Sequence, residues 1–446
     1  MRKLILILVA TSLTACGGGG SNGTVLPPAD TGACSNDGQK QFVLDNLYAW
    51  YLWNDLLPAN LSIADYNSPE QLVDQVTAQF GPQDANGAPI DRFSSVGSAV
   101  ADAQFFGEGQ YEGFGFSWRL LGNDDLRIVR VFSDSPADLG GLGRGQLILR
   151  INGRTVADIT ANEGVSAALN GSTVEFQMQR VDSSIFTVSI TEDVVTIDPV
   201  PQWRVIDAGN GRNVGYIEFA QFISTANPVF ETVFSEFRAA GVNDVIIDMR
   251  YNGGGLVSTA NLMGDYLGGS VAQNLVFSST EFNADRAAAN NSMEFFELLG
   301  NSLSLSRLVV IASSGTASAS ELVTNGMIPH VDVAIVGEST FGKPVGQIGL
   351  EFCDKILRPT SFKIANADGN GDYFDGLPVD CPAIDDLSVA VGDDLDPRMV
   401  SAMTYLDTGA CPVTAAPGGQ FKVDAGINAE QRDRRGPPER EFANAY

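Results

Sequence analysis

Residues 313–321, Ser-Ser-Gly-Thr-Ala-Ser-Ala-Ser-Glu, form the first of three turns whose residue types could carry out nucleophilic chemistry. Their small side chains separate an apolar run from a helical pattern, so a serine here would stand at a helix N-terminus. The N–H groups and the dipole at such an end stabilise negative charge. The same residues also suit a plain helix cap made by Ser320 or Thr316, and the stretch by itself fits both interpretations equally.

Lys343 is an isolated cation in the second turn, residues 337–347, among mostly uncharged neighbours. The pKa of a lysine amine is about 10.4 in water, and apolar surroundings lower it, which makes the free amine a usable base. Most loop lysines are simply solvated. Lys343 therefore becomes a candidate base only in combination with the serine turn.

Three consecutive glycines form the third turn, which leaves a buried strand within residues 248–255. Glycine backbone can approach a substrate closely and present N–H groups to a developing oxyanion. The alternative is that a strand-to-helix turn needs glycine for its conformation alone.

Strands and helices in alternation must position these turns. After residue 201 they follow one another along the chain, with strands predicted at 214–219, 245–249, 308–312 and 333–336 and helices at 227–240 and 320–327. This order predicts a layered α/β core with parallel strands. Helical spacing in residues 37–105 and short alternating strands in residues 106–195 predict a helical unit and a β-rich module before that core.

The three turns together resemble those of the carboxy-terminal processing, or tail-specific, serine proteases, over residues 111–380. In that family the nucleophile is the middle residue of a serine–alanine–serine–alanine–serine stretch. That position falls on Ser318, with Thr316 replacing the first serine. The family's base falls on Lys343 and its supporting glutamine on Gln347. The resemblance implies acyl transfer in which Lys343 takes the proton of Ser318 and Gln347 orients the amine.

The same resemblance places the oxyanion hole at backbone N–H groups near Gly253 or Gly254 and at Ala319. One departure is Pro344, which stands where the family has glycine. All of the reactive groups that the family uses are nevertheless present in this chain.

The fold class that the resemblance implies is α/β, in a multidomain α+β arrangement. A layered crotonase/ClpP-like protease core would occupy residues 196–411, after a small helical domain in residues 37–105. Residues 106–195 resemble a PDZ domain inserted between the two. Residues 412–446, rich in Pro, Gly, Ala and charge, are predicted to be a disordered tail.

Glu112, Gly113, Phe114 and Gly115 match the carboxylate-binding loop of a PDZ domain. Glycines in such a loop let successive N–H groups converge on a terminal carboxylate, while an open strand edge accepts the peptide as an additional strand. The module would then recognise the ends of protein chains. The alternative is a glycine loop that only turns the chain.

Residues 1–15 form a predicted lipoprotein signal peptide, in which two basic residues precede an apolar run too short to span a bilayer. The Leu-Thr-Ala-Cys that ends at Cys16 resembles the bacterial lipobox, which implies cleavage before Cys16 and its acylation. Residues 16–36 would be a flexible tether. Gly17, rather than aspartate, follows Cys16, and by resemblance to lipoprotein sorting this favours the outer membrane, so we expect a lipid-anchored protein of the cell envelope. The alternative is a plain cleaved signal with an incidental cysteine.

Composition disfavours several other functions. The formal net charge of −27 would repel phosphate backbones, so nucleic acid is not an expected partner. His330 is the only histidine, and we interpret it as an ordinary helix-end residue. A Ser-His-Asp triad and a zinc hydrolase are therefore disfavoured, and no metal or organic cofactor is expected.

Four cysteines remain when Cys16 is set aside, an even number that suggests two disulfides in an exported chain. Three pairings are possible. Cys353 with Cys381 would close the shortest of the C-terminal loops.

The most favoured function is a serine endopeptidase with a Ser-Lys dyad that cleaves envelope proteins or unfolded polypeptides, with protein or peptide substrates as partners. The alternative, from a different class, is a non-catalytic lipoprotein that binds peptides or other ligands on the same fold. The sequence does not predict an oligomeric state.

Overall fold

The computed structural model describes residues 32–121 and 125–412. Its first part is a helical unit with one short strand: α1 (Asn36–Trp50), α2 (Pro69–Phe80), β1 (Ser95–Ser98) and α3 (Ala99–Ala103). Helix α2 begins with Pro69 at its first position, and the Ser68 hydroxyl accepts a hydrogen bond from the Gln71 N–H (Oγ to N 3.2 Å). The unit packs around an apolar cluster that includes Val43, Leu44, Leu47, Leu72, Val73 and Val76, together with Phe352 and Leu357 from later in the chain.

A β-rich module follows, as predicted from the short alternating runs. Its elements are β2 (Gln110–Gly113), β3 (Phe116–Leu120), β4 (Leu126–Val131), α4 (Pro136–Leu139), β5 (Leu147–Ile151), β6 (Arg154–Thr155), α5 (Val156–Asn162), α6 (Val165–Ala168), β7 (Thr173–Gln179), β8 (Ile185–Thr191) and β9 (Asp193–Thr196). The main sheet has the order β3-β4-β5-β7-β8, with β6 beside β5, and β2 pairs with β9. A separate apolar cluster fills the module, with Phe114, Phe116 and Phe176 at its centre.

The remainder of the described chain is an α/β core. Its elements are β10 (Gln202–Asp207), β11 (Asn213–Glu218), α7 (Asn227–Ala239), β12 (Asp244–Asp248), α8 (Val257–Ala272), β13 (Val276–Phe282), α9 (Ala284–Asn290), β14 (Ser292–Phe295), β15 (Arg307–Ala312), α10 (Ala319–Met327), β16 (Asp332–Gly337), β17 (Val345–Gln347), β18 (Leu350–Phe352), β19 (Lys355–Arg358), β20 (Thr360–Ala365), β21 (Cys381–Pro382) and α11 (Pro397–Thr408). The predicted core strands and helices all form, within one or two residues of their expected ends.

The central sheet of the core has the order β10-β11-β12-β15-β16-β21 and is parallel from β11 onward, as predicted. Its inner strands β11, β12 and β15 are buried on both faces. One face packs on α11 through residues such as Met399 and Leu406. The other packs on α7, α8 and α10, where Phe230, Phe234 and Phe237 of α7 recur at helical spacing.

Two smaller sheets connect the layers. One has the order β14-β13-β20-β17, and the other, β1-β19-β18, joins the helical unit to the core. Residues 376–380 precede the two-residue strand β21 and do not themselves form a strand. The reason is that N–H groups of this segment are bound by hydroxyls: Leu377 donates to Thr340 Oγ1 (2.7 Å) and Val379 to Ser339 Oγ (3.3 Å).

The two expected disulfides are present. They do not include the Cys353–Cys381 bond that would have closed the shortest C-terminal loop. Cys34 bonds to Cys353, and Cys381 bonds to Cys411. Cys353 lies in the turn between β18 and β19, beside the start of the helical unit, whereas Cys381 lies in the buried strand β21 next to the end of α11. The fold thus brings Cys353 and Cys381 to different neighbours, although they are close in sequence.

Candidate active site

The loop between β15 and α10 ends at Ser318, directly before the first residue of the helix. Ser318 is half-buried and has φ 55° and ψ −116°, a conformation that side-chain-bearing residues adopt only when their surroundings fix it. The loop is fixed on its N-terminal side, where Thr316 Oγ1 donates to Met249 O (2.7 Å) and the Ala317 N–H to Asn252 O (3.1 Å). The serine turn is therefore held to the glycine turn by hydrogen bonds to main-chain oxygens.

Gly254 packs directly against this serine. A Cβ atom at Gly254 would lie 2.7 Å from Ala317 O and from Ser318 Cβ, and 2.8 Å from Ala319 N. Gly254 also has a φ of +102°, which side-chain-bearing residues rarely adopt. The Gly254 N–H donates to the Asn252 side chain (N to Oδ1 2.9 Å). This bond takes up one of the N–H groups assigned to the oxyanion hole, while Ala319, as the first residue of α10, has an N–H with no partner inside the helix.

Glu321, the last residue of the serine turn, was given no role by the sequence. Its side chain is fully buried and its Oε2 accepts hydrogen bonds from the N–H groups of Ser318 (2.9 Å) and Lys343 (2.8 Å). Its Oε1 accepts from Thr340 Oγ1 (2.5 Å) and the Gly342 N–H (2.7 Å). Burial raises the pKa of Glu321, and these four hydrogen bonds oppose that rise. One carboxylate thus holds both the serine turn and the lysine turn.

Lys343 lies in a buried position, with 2% of its surface exposed. Its Nζ donates to Gln347 Oε1 (2.7 Å) and lies 5.2 Å from the centroid of the Phe93 ring. Phe93, Phe341, Ala317 and Val345 form one small apolar cluster. The predicted base is therefore buried beside the Phe93 ring of this cluster and bonded to the predicted glutamine.

Gln347 is held so that its oxygen faces the lysine. Its Nε2 donates to two main-chain oxygens, Phe93 O (2.7 Å) and Arg358 O (2.9 Å). Because both amide hydrogens are used, the Oε1 atom is directed to Lys343. Phe93 belongs to the helical unit and Arg358 to β19, and neither was singled out by the sequence.

The family to which the chain belongs follows from comparison with known proteins. A model of Peptidase family S41 matches residues 213–380, and a model of the Peptidase S41 N-terminal domain matches residues 38–95. The first range contains Ser318, Lys343 and Gln347, and the second contains Phe93. The chain belongs to peptidase family S41.

Curated S41 relatives align over part of their length. The chain is 28% identical over 234 residues to the carboxyl-terminal-processing protease of Picosynechococcus sp., an alignment that covers 52% of this chain and 54% of the relative. It is 25% identical over 256 residues to the carboxy-terminal processing protease CtpA of Bacillus subtilis, covering 57% of this chain and 52% of that protein. The chain thus spans about half the length of the curated relatives it matches.

Solved S41 structures share the fold. The crystal structure of an assigned S41 protease from Bacteroides fragilis matches with a TM-score of 0.63 and 24% identity, over 82% of this chain and 97% of that one. The photosystem II D1 C-terminal processing protease matches with a TM-score of 0.51 and 21% identity, over 82% and 97% of the two chains. The predicted α/β class is confirmed.

The predicted peptide-binding residues lie in the β-rich module, away from the serine turn in the chain. Glu112 and Gly113 end β2, opposite Val194 and Asp193 of β9. Phe114 is buried in the module, and Gly115 has φ +88°, with its carbonyl accepting from the Phe132 N–H (2.9 Å). The next strand, β3, stands at the edge in the strand order of its sheet.

His330 and Cys16 are the remaining residues singled out by the sequence of this S41 protein. His330 follows α10, and its Nε2 lies 2.9 Å from Val276 O. Cys16 and its leader lie outside the described residues. In residues 32–121 and 125–412, no group of three or more His, Cys, Asp or Glu side chains could hold a metal ion. Within the same ranges, no helix has the length and apolar character needed to span a bilayer.

Proposed function

We propose that this chain is a serine endopeptidase of the carboxy-terminal processing type, with Ser318 as nucleophile and Lys343 as base. The observation that carries the proposal is the Glu321 carboxylate, which accepts from the main-chain N–H groups of both residues. Lys343 is buried and bonded to Gln347, and burial disfavours the charged form of an amine. Membership of family S41 and the names of the relatives support the same reaction.

The proposed reaction is an acyl transfer in two halves. Neutral Lys343 takes the proton from Ser318 Oγ, which attacks the peptide carbonyl carbon, and main-chain N–H groups of Gly253 and Ala319 stabilise the oxyanion. The C–N bond then breaks, and the Lys343 ammonium gives its proton to the leaving amine. Water hydrolyses the acyl-enzyme with the same amine as base, which regenerates Ser318.

Cleavage of an unfolded protein such as casein by the purified chain tests the dyad. We expect Ser318→Ala and Lys343→Ala each to lower kcat at least about 1000-fold, because each removes a group that takes part in bond making or proton transfer. The parent rate should rise with pH, since only the uncharged amine accepts a proton. Unchanged cleavage in either variant would refute the dyad, and no cleavage by the parent would favour the non-catalytic binding alternative.

Two further proposals concern the regions on either side. The loop Glu112–Gly115 would bind the carboxylate at the end of a substrate chain in the manner of a PDZ domain. Peptides with a free C-terminus should bind, and their amidated forms should not.

Cys16 would carry the lipid that anchors the protein to the envelope, most favourably at the outer membrane. Metabolic labelling with a fatty-acid analogue should mark the parent and leave Cys16→Ala unmarked.

A further inference from the structure

The segment Asp91–Ser94 connects the helical unit to the proposed active site. Asp91 has 3% of its surface exposed, and its Oδ1 accepts from the N–H groups of Phe93 (3.0 Å) and Ser94 (3.1 Å). Its Oδ2 accepts from Ser94 Oγ (2.6 Å). One carboxylate therefore fixes the turn that contains the Phe93 peptide groups.

The same carboxylate also joins this turn to the core. Thr360 Oγ1 donates to Asp91 Oδ1 (2.9 Å), and the Thr360 N–H donates to Ser94 Oγ (2.9 Å). Directly after the turn, β1 pairs with β19, with Ser95 opposite Arg358. The turn cannot shift without disturbing the pairing beside Arg358.

These contacts end on the two carbonyl groups that hold Gln347. Phe93 O and Arg358 O accept both hydrogens of the Gln347 amide, and Gln347 Oε1 accepts from Lys343 Nζ. A proton acceptor must be held close to its productive geometry, and a misplacement of about 1 Å can cost about 100-fold in rate. The position of the lysine amine thus depends on the position of the Phe93 carbonyl.

We infer that Asp91 is a positioning residue for the proposed base: it fixes the Phe93 carbonyl, which orients Gln347, which in turn holds Lys343. The helical unit is then a working part of the active site, because it supplies one of the two acceptors of the Gln347 amide and the ring beside the amine. The inference rests on the proposed Ser318 and Lys343 chemistry. Asp91 itself does not touch the reacting atoms.

The first experiment compares two substitutions at Asp91 in the full chain. Asp91→Ala removes all of the acceptors, so kcat for casein or a peptide should fall at least about tenfold while KM stays within about twofold. Asp91→Asn keeps Oδ1 for the Phe93 and Ser94 N–H groups and for Thr360, and the Ser94 hydroxyl can turn to accept from the new amide. It should therefore recover kcat to within about threefold of the parent.

Glu70→Ala is the matched control. Glu70 is a carboxylate of the same helical unit that pairs with Lys355 at the other end of β19 (2.6 Å), away from Gln347. Its loss should leave kcat within about twofold of the parent. If Asp91→Ala does not fold, Ser94→Ala is the second variant: it keeps the Asp91 bonds to the Phe93 and Ser94 N–H groups and removes the hydroxyl that joins Asp91 to the Thr360 N–H, so kcat should fall by a smaller factor.

A double variant separates positioning from general structural damage. If Asp91 acts through Gln347, Asp91→Ala should have no further effect on kcat in a Gln347→Ala background, whereas independent effects multiply. Multiplying losses, or an Asp91→Ala loss no larger than that of Glu70→Ala, would overturn the inference. Full activity of Ser318→Ala would instead show that the proposed function itself is wrong.

Discussion

Ser318 has a backbone conformation that needs close support, and Gly254 provides space for it. Because a Cβ at Gly254 would lie 2.7 Å from Ser318 Cβ and 2.8 Å from Ala319 N, even alanine cannot be placed there without moving the serine turn. The position of Gly254 beside the proposed nucleophile is thus restricted in size.

Gly254→Ala should lower kcat at least about tenfold and destabilise the protein by about 1–3 kcal/mol, through overpacking and an unfavourable φ. The measurements are peptide cleavage and urea unfolding. Gly211→Ala is the control, because Gly211 also has positive φ (+74°) but nothing lies within 4 Å of its added Cβ. The Gly211→Ala variant should lose stability while its kcat stays unchanged. Equal kcat values in Gly254→Ala and Gly211→Ala would contradict the claim that close packing at Gly254 supports the serine turn.

Elements were easier to predict than the contacts between them. The alternation of apolar runs and helical spacing after residue 201 fixed β11, β12, β15 and β16, because buried parallel strands and amphipathic helices have distinct local patterns. Ser318, Lys343 and Gln347 came from a resemblance in short turns. Glu321 and Phe93 could not be found in this way, since their roles depend on partners that are distant in the sequence.

Helix α8 carries a second carboxylate with a perturbed titration, Asp265. Burial raises the pKa of Asp265 to about 6; the hydrogen bond from the Glu297 N–H (2.7 Å) opposes this, and the charges of Glu297 and Glu294 add to it. Below about pH 3 the group is protonated in both the folded and the unfolded chain, because its unfolded pKa is 3.8. As pH rises through 6 the folded protein must ionise a disfavoured carboxylate, so its stability falls.

Asp265→Asn should therefore stabilise the protein, by no more than about 1 kcal/mol at pH 8 after allowance for solvent screening, and by almost nothing at about pH 3. The asparagine Oδ1 can still accept from the Glu297 N–H. Urea unfolding at a series of pH values measures the difference. Glu351→Gln, at an exposed position, controls for the loss of one negative charge. A stabilisation by Asp265→Asn that does not grow with pH would contradict the argument.

Three arginines of the β-rich module meet carboxylates of the α/β core. Arg119 pairs with Glu338 (2.6 Å), Arg130 with Glu218 (2.7 Å) and Arg144 with Asp385 (2.6 Å). Burial alone would raise the pKa of Glu338, but Arg119 and Arg398 hold it below its usual value. Arg119 also contacts Ser314 (3.3 Å), four residues before the proposed nucleophile. Through Arg119 the module is thus joined to the serine turn and the lysine turn, which carry the proposed chemistry.

The helical unit is joined to the core by the Cys34–Cys353 disulfide, which spans 319 residues of sequence. Both cysteines are exposed, so their replacement removes little packing, and the effect should lie mainly in the unfolded chain. Cys34→Ser, Cys353→Ser and the double variant should each lose about 2–4 kcal/mol of unfolding free energy, by equal amounts. Urea unfolding without reductant measures this loss.

Below the unfolding transition, kcat of the cysteine variants should stay within about twofold of the parent, because β1 still pairs with β19 and Asp102 still binds Arg358 (2.6 Å). A large fall in kcat with the protein folded would show instead that the disulfide, rather than these contacts, holds the Arg358 carbonyl against Gln347.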